Sequence, residues 1–389
     1  MILAALGLAL AASGSGAATF LFDATKAEMA GNADWVIDAD LHNIRISSGV
    51  YGSGVTNIGG NESNPQRFPT PDASGITSST PENYWQGALS AWAVDLVKNG
   101  HAVETLPYNS HITYGDATNP QDLTNYQVFV LCEPNIAFTA AERDAIVSFV
   151  WNGGGLFMVS DHVVADRNND GTDAFANLNG IATNSIQENP FGIRFNGDNI
   201  SPSSDNVDPN PGDPLIQGAA GAVANIAYHN GSSISIDTNQ NPSAQIAVWT
   251  TATHDPGNGL AAYATFGSGK VVAVGDSSLC DDGTGDPNDI NLFVDYPDTS
   301  TGDGKLILNA SLWLAPPPVP ALRIEPLASG IQISWPAAAT NYVLQTTADL
   351  LQTNSWTVVT NAPQVVSASF VVTNLVGAGP DFYRLLRTP

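Results

Sequence analysis

YQVFVLCEPNIAFTAAERDAIVSFVWNGGGLFMVSDH, Tyr126 to His162, decides the fold class. VFVLC is a short, fully apolar run rich in Val and Phe, so it reads as a buried strand. Thr139, with Glu142 three residues later, makes a capping box that opens a helix, and the helix stops at Gly-Gly-Gly. GLFMV is a second apolar strand. A helix between two buried strands is the crossover of a parallel pair, and parallel sheets are covered on both faces.

Working outward, ATFLFDAT reads as a strand ending at Asp23, HAVETLPY as another, and KVVAVGDSS as a fourth apolar one. TPENYWQGALSAWAVDLVKNG reads as a helix capped by Thr80, with Pro81 in its first turn and Gly100 past its end. KLILNASLWLA closes the series as a helix. The expected class is α/β, three-layer, with a mainly parallel, flavodoxin-like sheet over residues 18–315. A Pro-rich linker, 316–320, follows. The tail, 321–389, alternates short strands such as GIQISWP, NYVLQTT and SFVVTNL with turn residues, which fits a small all-β sandwich.

Of 389 residues, 37 are Asp or Glu and 12 are Lys or Arg, a net charge of −25. Such a surface repels phosphate backbones and anionic membranes, so nucleic acid is not an expected partner. The opening residues, MILAALGLALAASGSGA, read as a signal peptide over 1–17, too short to span a bilayer. The expectation is an exported protein with no stable membrane insertion, acting on an extracellular small molecule or polymer.

Ligands of open α/β sheets bind beyond the carboxyl ends of the strands. Four expected strands end there in polar groups: Asp23, Glu133, Ser160-Asp161-His162 and Asp276-Ser277-Ser278. Of these, Asp161, His162, Asp276, Asp23, Glu133 and Ser160 are the catalytic candidates, holding a metal or serving as general acid and base. The bland alternative is that the carboxylates cap neighbouring backbone and that His162 is a structural residue. Asp166, Asn168, Asp170 and Gly171 match the first half of a calcium loop, D-x-N-x-D-G, with Asp173 as a possible completing ligand. The twelfth position is Asn177 where a Glu is wanted, so the loop is either a stand-alone calcium site or a turn. Asp281 and Asp282 are further metal candidates within an Asp- and Gly-rich segment. Cys132 and Cys280 fall at the same edge, which permits a disulfide.

VFVLCEPNIAFTAAERDAIVSFVWNGGGLFMVSDH and the later FGSGKVVAVGDSS resemble the class I glutamine amidotransferase-like superfamily, in an exported bacterial branch. The tail resembles fibronectin type III or immunoglobulin-like modules. The first resemblance implies a nucleophilic Cys at a glycine-flanked elbow after GLFMV. Here that elbow is Val159-Ser160-Asp161-His162, with neither Cys nor Gly, so amidotransfer is not expected and Ser160 stands where the nucleophile would be. The expected function is a secreted hydrolase, acting by metal-assisted or acid–base chemistry on a substrate such as a polysaccharide. The alternative is a non-catalytic extracellular binding or surface protein with calcium-stabilised loops.

Overall fold

In a computed structural model of the chain, the deciding stretch forms β3 (Val128–Cys132), α2 (Ala140–Trp151) and β4 (Gly155–Val159), with β3 and β4 parallel. Thr139 and Glu142 exchange the two hydrogen bonds of the capping box. The structure describes residues 17–26, 28, 35–38, 71–85, 87–107, 110–166, 170–182, 189–202, 212–284, 293–315, 322–327, 329–337, 339, 342–350, 355–367, 369–374 and 381–387. The signal-peptide reading and the Pro-rich linker fall, but for Ala17, outside them.

Two compact units divide the chain, Ala18–Pro316 and a unit that includes Pro317–Pro389. In the larger, β1 (Thr19–Asp23) and β2 (Ala102–Leu106) lie beside β3, and the late strand β11 (Gly269–Val274) lies beside β4. The order β2-β1-β3-β4-β11 is parallel throughout. It is an open, doubly wound arrangement whose order reverses between β1 and β3.

The sheet is more mixed than the sequence suggests. β5 (Ile193–Phe195), β8 (Ile234–Ile236), β9 (Gln245–Trp249) and β10 (Gly259–Phe266) extend it antiparallel beyond β11. A two-residue ladder, β6 (Gln217–Gly218) with β7 (Gly221–Ala222), stands apart. Alternate strand residues feed two cores. Phe20, Phe22, Val130 and Phe157 meet Trp92 of α1 (Ser90–Lys98) and Leu306 of α4 (Asp303–Leu314) on one face. Leu21, Phe129, Leu131 and Met158 meet Ile146 and Phe149 of α2 on the other. Helices on both faces make three layers. A short α3 (Ala174–Asn179) follows β4.

The helix expected from Thr80 is shorter and differently capped. Only a 3-10 turn forms at Glu82–Tyr84, and α1 starts at Ser90. The Thr80 hydroxyl accepts from Thr77 N instead. Asp282 caps α1 from far along the chain, accepting from Ser90 Oγ at 2.5 Å and Ala91 N at 2.7 Å. No helix among the described residues is long and apolar enough to cross a membrane.

In the smaller unit β12 (Arg323–Leu327), β13 (Gly330–Pro336), β16 (Gln364–Val366) and β17 (Ser369–Asn374) form one antiparallel sheet. β14 (Tyr342–Thr347), β15 (Thr357–Val358) and β18 (Phe382–Arg387) form another. Ile333, Trp335 and Val372 of the first share a core with Leu344, Tyr383 and Leu385 of the second. Two antiparallel sheets thus bury one interior between them.

Candidate active site

The ends of β3, β4 and β11 lie side by side, so the residues that follow them meet. They line a cavity of about 200 Å³ that holds Glu133, Asp161, His162, Asp276, Ser277 and Ser278. Trp35, His229, Asn230 and Phe293 complete the wall.

Glu133 is fully buried and takes a left-handed backbone, φ 50°. That conformation is unfavourable for a residue with a Cβ and persists only where the surroundings impose it. Here the peptide N–H bonds Val159 O at 2.9 Å, and Trp35 Nε1 and Ser277 Oγ both donate to Oε2. Asp161 Oδ1 accepts from the His162 peptide N–H at 2.7 Å, and Asp161 Oδ2 lies 3.8 Å from His162 Nε2. His162 Nδ1 sits 2.5 Å from Val163 O. A carbonyl can only accept, so the neutral ring carries its proton on Nδ1 and its lone pair on Nε2.

Asp276 is almost wholly enclosed and accepts from Ser278 N at 2.9 Å and from the His229 peptide N–H. Burial pushes its carboxyl well above the usual carboxylate range, and the charge of Asp161 pushes further in the same direction. A buried acid with a raised carboxyl beside a second carboxyl is an arrangement that suits one group to proton donation and the other to carrying charge.

Other candidates lie elsewhere or are committed to structure. Ser160 is completely buried, does not line the cavity, and donates to Asp161 O at 3.2 Å, so a nucleophile there has no access. Asp23 does not reach the cavity either. Its Oδ1 accepts from Thr25 N and Oγ1, and burial raises its carboxyl, which shares a hydrogen bond with Glu28. Beside it Lys26 pairs with Glu142 at 2.6 Å. Cys132 and Cys280 are buried free thiols in contact with each other, not a disulfide.

The proposed calcium ligands mostly serve their own backbone. Asp166 accepts from Asp170 N and Gly171 N, Asp170 from Thr172 N, and Asp173 from Val164 N. Asn168 is outside the described residues. Asp281 accepts from Gly283 N and Phe293 N, and Asp282 caps α1. Among the described residues no three His, Cys, Asp or Glu side chains come together as a metal site.

The sequence reading missed Trp35, His229 and Phe293. His229 Nε2 lies 3.0 Å from Asp295 Oδ2, and its ring stacks on Phe293 with centroids 4.2 Å apart and planes 10° from parallel. His229 belongs to the antiparallel half of the molecule, away from any expected strand end, so no local pattern marked it. The one signal available for Trp35 was its place in GNADWVID, twelve positions past the end of the first strand at Asp23.

No family model matches the chain, and no curated protein matches it. Among solved structures, the chain is similar to the mmIFT52 N-terminal domain at 15% identity and TM-score 0.41, over 76% of this chain and 96% of that one. A cytoplasmic protein of Salmonella typhimurium aligns at 14% identity and TM-score 0.35, over 59% and 88%. A β-galactosidase of Bacillus circulans aligns at 11% identity and TM-score 0.34, over 92% of this chain and 41% of that one. Likenesses this distant assign no activity.

Proposed function

We propose that the chain is an exported hydrolase that works by acid–base chemistry in the cavity at the ends of β3, β4 and β11. The observation that carries this reading is the buried Asp276 beside Asp161, with carboxyls of unlike environment facing one space. Asp276 supplies the proton to a leaving oxygen. Asp161, steadied by the His162 peptide N–H, keeps charge opposite it. Glu133, fixed by Trp35 and Ser277, accepts a hydrogen bond from a substrate hydroxyl. No step is routed through a metal. A calcium ion at 166–173 rests on the sequence pattern alone, and one equivalent of calcium lost on chelation supports it.

Among the described residues the lining has three carboxyl groups, two imidazoles and no Lys or Arg, which favours a neutral, hydroxyl-rich substrate over an anionic one. A neutral extracellular polysaccharide meets that requirement. Kinship with the amidotransferase-like superfamily belongs to the same proposal and is supported by the strand order, without the nucleophilic Cys.

The test is turnover by the full chain of 4-nitrophenyl glycosides and neutral polysaccharides. Asp276→Asn and Asp161→Asn should each lower kcat by about 100-fold or more with folding intact. A second reading, sugar recognition without chemistry, is favoured by how fully Glu133 and the Nδ1 of His162 are satisfied internally. Saturable binding of the same polysaccharides with no turnover establishes that reading and overturns the first.

A further inference from the structure

The hydrolase reading names an acid but leaves open which group draws the proton from water. We propose that His229, held by Asp295, is the general base of this cavity. The inference rests on the hydrolase reading and adds a residue that reading does not use.

His229 lines the cavity, and its side chain is 37% exposed, so it faces both the reacting space and solvent. Three contacts fix it. Its peptide N–H donates to Asp276, which ties the base to the acid. Its ring lies flat on Phe293, which sets the ring plane. Its Nε2 is 3.0 Å from Asp295 Oδ2, an atom buried without any hydrogen bond among the described residues. A buried carboxylate oxygen needs a donor; the imidazole is within reach of Oδ2, and the Ser278 hydroxyl also faces this carboxyl. Placing the proton on Nε2 leaves the lone pair on Nδ1, the nitrogen not engaged by Asp295. A carboxylate that holds the tautomer and steadies the imidazolium is what a histidine base requires. His162 is arranged the opposite way, its Nδ1 proton on Val163 O and its Nε2 turned to Asp161.

Proton accounting closes. Water gives a proton to His229 Nδ1 as its oxygen bonds the electrophilic carbon. The bond from that carbon to the leaving oxygen breaks, its electron pair stays on the oxygen, and the oxygen takes the Asp276 proton. The imidazolium then releases its proton to solvent and Asp276 regains one, restoring both groups.

The experiment compares full-length wild type, H229A, D295N and D276N on whichever 4-nitrophenyl glycoside or polysaccharide the wild type hydrolyses. H229A is expected to lose about 100-fold or more in kcat with KM unchanged. Added imidazole should restore part of the rate to H229A and none to D276N. D295N should lower kcat, again at constant KM. H229A within twofold of wild type, with D276N inactive, overturns this inference and leaves the hydrolase reading standing. An inactive H229A that imidazole does not rescue makes His229 structural and also overturns it. A wild type inert on every substrate, with all variants folded, overturns the hydrolase reading and this inference with it.

Discussion

Three non-glycine residues with left-handed backbones stand at or near the cavity, Glu133, Val164 and Asn230, and the first two should respond to substitution in opposite ways. Val164, at φ 69°, is 82% exposed, and nothing buried depends on its side chain. A β-branched residue is unfavourable there by about 1–2 kcal/mol. Val164→Gly should therefore raise stability by about 1 kcal/mol in urea unfolding, after the greater freedom of glycine in the unfolded chain is counted. An unchanged or lower midpoint would show that the strain is absent. Glu133 carries the same kind of backbone but accepts the buried Trp35 N–H. Glu133→Ala leaves that donor unpaired and should destabilise by about 1–3 kcal/mol in the same assay. Glu133, Asp161, His162 and Asp276 were legible as site candidates because each directly follows an apolar run, and a parallel sheet brings such positions to one edge. Asp23 has the same sequence signature, but its carboxylate turns back to Thr25 and Glu28. Side-chain direction past a strand end is set by the local turn, which composition does not reveal.

Among the elements, α1 and α4 depend on carboxylates that act from a distance or from enclosure. Asp282→Ala should weaken the start of α1 by about 1–2 kcal/mol, read as a lower urea midpoint. Loss of less than a few tenths would mean that water replaces the cap. Asp303 opens α4, fully buried, and accepts from Ala227 N at 3.0 Å. Burial pushes its carboxyl up to about 7. A raised value means that its stabilising contribution is complete below the ordinary carboxylate range, near about 4, and is lost as pH rises through about 7. Asp303→Asn should therefore lose less stability than wild type between those limits. Parallel pH–stability curves would contradict the assignment. The contrast between α2 and α1 shows what sequence can carry. The α2 cap is local, Thr139 with Glu142, and was readable. The α1 cap lies some 190 positions away at Asp282, and no window of sequence contains both partners.

Across the whole molecule, the parallel half of the sheet was readable because its strands are apolar runs buried on both faces. The antiparallel half was not. β5 and β8 are three-residue strands whose existence depends on pairing with each other and with β10. That half supplies His229, so the same limit hid one wall of the cavity. The two halves meet at a buried acid next to a second carboxyl, Asp276 beside Asp161, with His229 N–H donating to Asp276 from the antiparallel side. The most direct test is 13C NMR of carboxyl-labelled aspartate in wild type, Asp276→Asn and Asp161→Asn, followed across pH. Among the carboxyls that titrate above the ordinary range, which include Asp303 and Asp23, one should vanish in Asp276→Asn and move downward in Asp161→Asn as the neighbouring charge is removed. If the Asp276 signal titrates in the ordinary carboxylate range and ignores Asp161→Asn, the cavity has no resident acid and the hydrolytic account fails.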